Sequence, residues 1–401
     1  MSDIQQQEYA ATYEINSHDG GKSSDTGILL AIYYAGFGGA SPIFNLINDH
    51  VLRNRKGVML MGVCIEIISL FLFLFVTEFW MLALGRLCHG LGSGCITTLG
   101  YVVVADHFPS EVLGKQMGKA YMFYKGGVAV GGPIGGLELL LILLIVERRS
   151  SPNDWFVDSS EKEMINTSAT TVPIDEACSQ IDDDKEVTIT TMRLLRSPQI
   201  WTIILVSFCS GWAVVVFEVL LPIYLNEEWG YNTSEIGLLL VIILIPTVVG
   251  SIISGYVYDR IGAKILSFSA LILGGACLAV SGISNRATPG GVVPLITTTA
   301  ANEFFASVYK GATLPETSRV AKSLANGSDC ASSYAYGLSN IAFASGCLTS
   351  PLFGGYLFEC TNFTIMCITA SSVLFVVAPF ALVFLGNHVT GFSYLKRRLF
   401  Q

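Results

Sequence analysis

The chain has 401 residues, 52% of them hydrophobic and only 13% charged, with a formal net charge of −8 and a mean hydropathy of +0.57. Soluble domains carry about a quarter charged residues, so the composition excludes an ordinary soluble domain. It also lacks the basic, aromatic-interleaved face that a nucleic-acid binder needs.

Residues 1–26 are polar and acidic, which reads as a disordered tail. They lack the basic start and apolar centre of a secretory signal. Gly20, Gly21, Lys22 and Ser23 match the end of a phosphate-binding loop, but Asn16 stands where its first glycine belongs. No strand precedes it, so ATP binding is rejected. No metal-ligand or cofactor motif follows, and the ten cysteines are scattered without pairing, as small apolar residues would be.

A membrane-crossing helix takes about 20 apolar residues. Apolar runs fall at 27–47, 57–79, 80–104, 117–137, 200–224, 234–256, 264–284, 290–311, 333–357 and 363–386. An eleventh, Leu137–Val146, is too short to cross and reads as a stub. In lipid every backbone polar group needs an internal partner, and these runs do not alternate as barrel strands would. The expected fold is an all-α polytopic membrane protein. Its expected divisions are the tail, a helical bundle over 27–146, a polar loop over 147–198, a six-helix bundle over 199–390, and a basic tail over 391–401.

Basic residues cluster at alternate ends of the runs: Arg53, Arg55 and Lys56; Arg148 and Arg149; Arg193 and Arg196; Arg260 and Lys264; Lys310, Arg319 and Lys322; Lys396, Arg397 and Arg398. The positive-inside rule puts them in the cytoplasm. The sequons at Asn232 and Asn362 then face outward, where glycosylation can occur. Those at Asn166 and Asn326 face inward.

Ionisable side chains inside spans are costly and mark pathways or structural pairs. Five stand out: Glu66, Arg86, Lys125, Glu218 and Glu303. Glu218 and Glu303 are candidate proton or cation sites, with Glu303 expected nearer the cytoplasmic end. Lys125 lies one turn before a glycine-rich stretch. Glu66 reads as structural and His89 as a packed histidine.

The two halves carry related motifs. Gly255, Asp259, Arg260 and Gly262 complete a G-x-x-x-D-R-x-G loop. Its degenerate copy keeps Asp49 and Arg53 but has Asn45 and His50 for the glycine and arginine. Arg86 and Gly90 form R-x-x-x-G. Gly118, Gly127, Gly131, Gly135 and Gly136 form a glycine series with Pro133 inside it, echoed by Ser350, Pro351, Gly354 and Gly355. As a set, over 27–386, these resemble the major facilitator superfamily. Within it they are similar to the drug:proton antiporter branch with its vesicular-amine-transporter-like fungal members.

That resemblance implies a two-bundle fold of twelve spans, with substrate held between the halves at mid-membrane and access alternating by rocking. It implies a proton-coupled exporter of small organic molecules (drug, amine or secondary metabolite), monomeric, in a plasma, vacuolar or vesicular membrane. Arg86 takes the place of a proton-relay arginine and the glycine series that of the antiporter motif, where packing alone is the competing reading. Asp259 and Arg260 form a conformational latch, a carboxylate at a helix N-terminus being favourable there. Ten full spans and a stub leave the family's first span and most of its sixth without equivalents. An incomplete gene model or a splice variant explains this first, and a true ten-span transporter second. A non-transporting product and a facilitative uptake carrier are the competing functions.

Overall fold

The computed structural model describes residues 23–47, 55–130, 192–324 and 329–386. The stub Leu137–Val146, the basic tail over 391–401, the sequons at Asn166 and Asn326, and most of the acidic tail and polar loop lie outside the described residues. Ten long helices follow one another: α1 (Ser23–Ile47), α2 (Arg55–Leu74), α3 (Phe79–His107), α4 (Leu113–Val130), α5 (Pro198–Trp229), α6 (Thr233–Ile261), α7 (Ala263–Ser281), α8 (Val293–Leu324), α9 (Asp329–Cys360) and α10 (Phe363–Phe384). Eight are long and apolar enough to cross a membrane. The other two are α4, which carries Lys115, Lys119 and Lys125, and α8, rich in polar residues.

Local chemistry sets the helix ends. Pro198 opens α5, where its missing N–H is no loss. The polar loop expected to reach 198 therefore ends sooner, since 192–196 are already helical. Gly230 closes α5 at φ 71°, and Gly262 turns α6 into α7 at φ 78°, conformations only glycine adopts cheaply. Asn232 caps α6, accepting from Glu235 N at 3.0 Å, while the Glu235 carboxylate accepts from Asn232 N at 2.9 Å. Asn362 caps α10 by accepting from Ile365 N at 2.9 Å. Both sequon asparagines thus serve as caps through the side-chain oxygen, which leaves their amide nitrogens out of the cap.

The outer surface is apolar. On α6, Leu238, Ile242, Ile245, Val249 and Ile253 are exposed at steps of three and four, which is one helix face. Such a stripe fits hydrocarbon, not water. On α10, Ile365, Ile368, Phe375, Val376, Phe380 and Val383 are likewise exposed.

Inside the first half, α3 packs on α1 and α2. Inside the second, α5 packs on α9, α7 on α8 and α10, and α6 on α8. The halves meet where α1 lies on α9 and α4 on α6.

Helix α8 corrects the sequence reading. Its apolar run was expected to stop at 311, with Lys310, Arg319 and Lys322 in a cytoplasmic loop. Instead the helix runs on to Leu324. Residues from Ala306 to Ser318 are all buried, with α6, α7, α9, α5, α4 and α3 around them. Hydropathy scores a segment's liking for lipid, and α8 faces protein, so polar residues are tolerated there when satisfied. Glu303 accordingly sits ten residues from the start of α8 and far from its basic end, not near the cytoplasmic end as expected.

Candidate functional site

Three groups of polar side chains lie within the bundle. The first seals the basic end between the two halves. Asp259, in the last turn of α6, accepts from Gly114 N at 2.9 Å and Lys115 N at 2.8 Å. These are free amides of the first turn of α4, so a carboxylate from one half caps a helix of the other.

The approach needs glycine. A Cβ on Gly118 would stand 2.8 Å from Ser251 O and 2.9 Å from Gly255 Cα, and one on Gly255 would strike Gly114 O. Gly114 has the same role and was missed in the sequence, where its helix was read as starting at 117. Arg260 is exposed in the last turn of α6, pointing to solvent rather than to the Asp259 contact. Gly127 is buried in α4. Asp49 and Arg53, and Gly131, Pro133, Gly135 and Gly136, lie outside the described residues.

Further contacts complete the seal. Asp106, at the end of α3, pairs with Arg55 of α2 and, at 3.3 Å, with Lys322 of α8. Lys322 also donates to Ala105 O at 2.9 Å. Asn45 of α1 and Ser333 of α9 exchange two hydrogen bonds, at 3.1 and 2.7 Å. Behind them, Asn340 of α9 donates to Thr98 of α3 at 2.8 Å. Glu316, 3% exposed, accepts from Tyr258 OH at 2.8 Å and Gly386 N at 3.2 Å.

The second group is central and joins α4 to α8. Tyr121 lies within electrostatic range of both Lys125 and Glu303. Tyr309 lies near Glu303 and Tyr121. Lys310 lies near Lys125, and its ammonium sits 4.7 Å from the Phe343 ring centre, a cation–π distance. Glu303 and Lys310 are 5% and 7% exposed, whereas Tyr124, Lys125 and Phe343 keep part of their surface accessible. Lys125 and Lys310 each lie twelve residues inward of the basic end, counted from Leu113 and Lys322, or about 18 Å along a helix. That is close to the middle of a roughly 30 Å hydrocarbon core. The structure thus brings together Lys125 and Glu303 among the expected residues and adds Lys310. The spacing held the signal, since Glu303 and Lys310 are seven apart and share a helix face.

The third group lies among α1, α2 and α3. Glu66 accepts from Ser93 Oγ at 2.5 Å and lies 3.6 Å from His89 Nε2. The His89 ring packs edge-on to Tyr33 at 5.2 Å. Arg86 neighbours His89 and sits 5.8 Å over the Phe73 ring. Arg86 therefore groups with Glu66 and His89, not with the central residues. Gly90 lets α3 approach α1, since its Cβ would strike Tyr33 O. Glu218 lies in α5, its side chain outside what is described.

Similarity to known proteins agrees with this architecture. The chain is 20% identical over 412 aligned residues to the MFS-type transporter ppzB of Metarhizium rileyi, covering 88% of this chain and 85% of that protein. It is 23% identical to an uncharacterized MFS-type transporter of Schizosaccharomyces pombe, covering 62% of this chain and 60% of that one. It is 25% identical to the synaptic vesicular amine transporter of Rattus norvegicus, covering 56% of this chain and 42% of that one. The crystal structure of the human organic anion transporter TETRAN superposes with a TM-score of 0.64 at 14% identity, covering 93% of this chain and 88% of that chain. The Major Facilitator Superfamily profile matches residues 9–307 and 203–393, and with ten long helices among the described residues, packed in two halves, the chain belongs to that superfamily of multi-pass membrane transporters.

Proposed function

We propose that this chain is a proton-coupled secondary transporter that exports small organic molecules by alternating access. The observation that carries the reading is Glu303. It is a carboxylate 5% exposed on the central helix, within range of Tyr121 on the opposite half. A buried ionisable group at an interface between moving halves is the element such coupling requires. The seal at the basic end supplies the gate. In this reading the closed seal bars passage at that end; with it released, the halves rock about α1–α9 and α4–α6. By the positive-inside rule the sealed end is cytoplasmic. Export, rather than uptake, is supported by the glycine series, of which Gly118 and Gly127 lie in α4.

The test uses purified protein in liposomes, with two dyes of opposite charge, fluorescein and ethidium, and an imposed pH gradient. Wild type is expected to drive at least one dye against its gradient. Glu303→Gln is expected to keep passive exchange but lose the gradient drive by about tenfold or more, the scale of a lost general proton-transfer group. Gradient-driven flux of neither dye would overturn the reading. Undiminished drive in Glu303→Gln would remove the coupling from that residue.

A further inference from the structure

We propose that the outer groove where α4 crosses α6 holds an anionic phospholipid of the cytoplasmic leaflet, its phosphate between Lys119 and Arg260 and its chains along Phe123 and Ile253, and that this lipid holds the two halves in the sealed state. The inference goes beyond the transporter reading and holds whichever solute crosses.

The exposed face of α6 does not end in apolar side chains. The stripe through Val249 and Ile253 continues at steps of three and four to Tyr256, 45% exposed, and to Arg260, exposed in the last turn. One helix face thus passes from aliphatic side chains to an aromatic ring to a cation. A membrane passes from chains to interface to headgroups in the same order. On α4, Lys115, Lys119 and Phe123 stand four apart and share a face, with Lys119 and Phe123 exposed. The Lys115 ammonium lies 5.1 Å from the Tyr256 ring centre, a cation–π distance. That contact joins the two faces into one groove.

Lys119 makes the case specific. It follows Gly118, the glycine that meets Gly255, and lies six residues inside α4 from Leu113, or about 9 Å along a helix. An exposed ammonium at that depth runs its stem back along apolar surface to the headgroup level. The described carboxylates nearby are engaged. Asp259 accepts from two amides of α4. Glu111, one turn outward of Lys115, accepts from Ser110 Oγ at 3.1 Å. What stands beside both exposed cations at this level is lipid phosphate, and the cytoplasmic leaflet carries the anionic species. Arg260 suits it, since a guanidinium can donate twice to one phosphate. Lys119 belongs to one half and Arg260 to the other. A headgroup bonded to both therefore ties α4 to α6 beside the Asp259 seal. Opening would part the two cations, so the lipid binds the sealed state better and shifts the equilibrium toward it.

Native mass spectrometry of the purified protein, titrated with phosphatidylglycerol or phosphatidylcholine, tests the site. Phosphatidylglycerol is expected to bind about tenfold or more tighter. Lys119→Gln combined with Arg260→Gln is expected to remove that preference, at roughly fivefold per cation, and Lys119→Arg to keep most of it. Both side chains are exposed, so the double variant should melt as wild type does. Hydrogen exchange in nanodiscs reads the seal. The amides of Gly114 and Lys115, bonded to Asp259, should exchange more slowly with phosphatidylglycerol than with phosphatidylcholine alone. In the double variant the two lipids should give the same exchange. Side chains that merely snorkel would leave that exchange unmoved by lipid. Soluble glycerol phosphate, which brings the charge without the chains, should not slow it. Equal affinity for the two lipids, an unaltered preference in the double variant, exchange independent of lipid, or slowing by glycerol phosphate alone would each overturn the proposal.

Discussion

Asp106→Asn is expected to unseal the basic end and to slow dye flux in proteoliposomes by about tenfold. Asp106 is the one carboxylate described between Arg55 of its own half and Lys322 of the other. It is 12% exposed, its two partners 32%. An amide keeps the shape and loses the charge, leaving two cations facing each other. Hydrogen bonds to charged groups contribute about 1.5–3 kcal/mol each. Solvent at the lysine and arginine discounts that value, so the low end applies. The charge swap separates electrostatics from packing: Asp106→Lys combined with Lys322→Asp, in an Arg55→Met background that spares the new lysine a like-charged neighbour, is expected to recover flux to within about threefold of wild type. A swap as slow as the single variant, or a normal rate in Asp106→Asn, would show that the pair does not gate.

Gly255→Leu is expected to be more damaging. Its new side chain would meet Gly114 O and Gly118 Cα, which are backbone atoms and cannot rotate aside. The helices α4 and α6 would have to part. Parting them would also pull Gly114 N and Lys115 N away from Asp259, where they now stand at 2.9 and 2.8 Å. Overpacking costs about 1–3 kcal/mol, and each bond to the carboxylate adds about 1.5–3. Together these approach the whole stability of many proteins, roughly 5–15 kcal/mol. The variant should melt well below wild type in detergent and carry no dye. Gly255→Ala should fall between. A Gly255→Leu protein with wild-type melting and flux would show that the close crossing is dispensable.

What the sequence disclosed depended on which solvent each residue faces. Helices facing lipid were legible, α10 to within two residues and α6 at its start though not at its end, because hydropathy measures the property that positions them. Helix α8 was cut short at 311, because its second half faces protein and resembles a loop by composition. Lys310 and Glu316 were hidden by the same error, although the seven-residue spacing of Lys310 from Glu303 carried a trace of it. Asp259 was visible through its loop motif, but its acceptance of two amides from α4 depends on how the halves dock. That is a matter of contacts between residues 144 and 145 positions apart. The Glu66–His89 contact was likewise out of reach, since one lies on α2 and the other on α3, and each taken alone looked structural.

The central claim is that two halves rock between a state sealed at the basic end and one open there. His107 and Ser323 are exposed at the ends of α3 and α8, one on each half and each next to the Asp106–Lys322 pair. Spin labels at these positions report the gap by pulsed electron resonance in nanodiscs. A short distance should dominate in the otherwise unaltered protein, with a second, longer population that grows when Asp106→Asn is introduced. A single distance, unchanged by that substitution and by pH, would contradict alternating access.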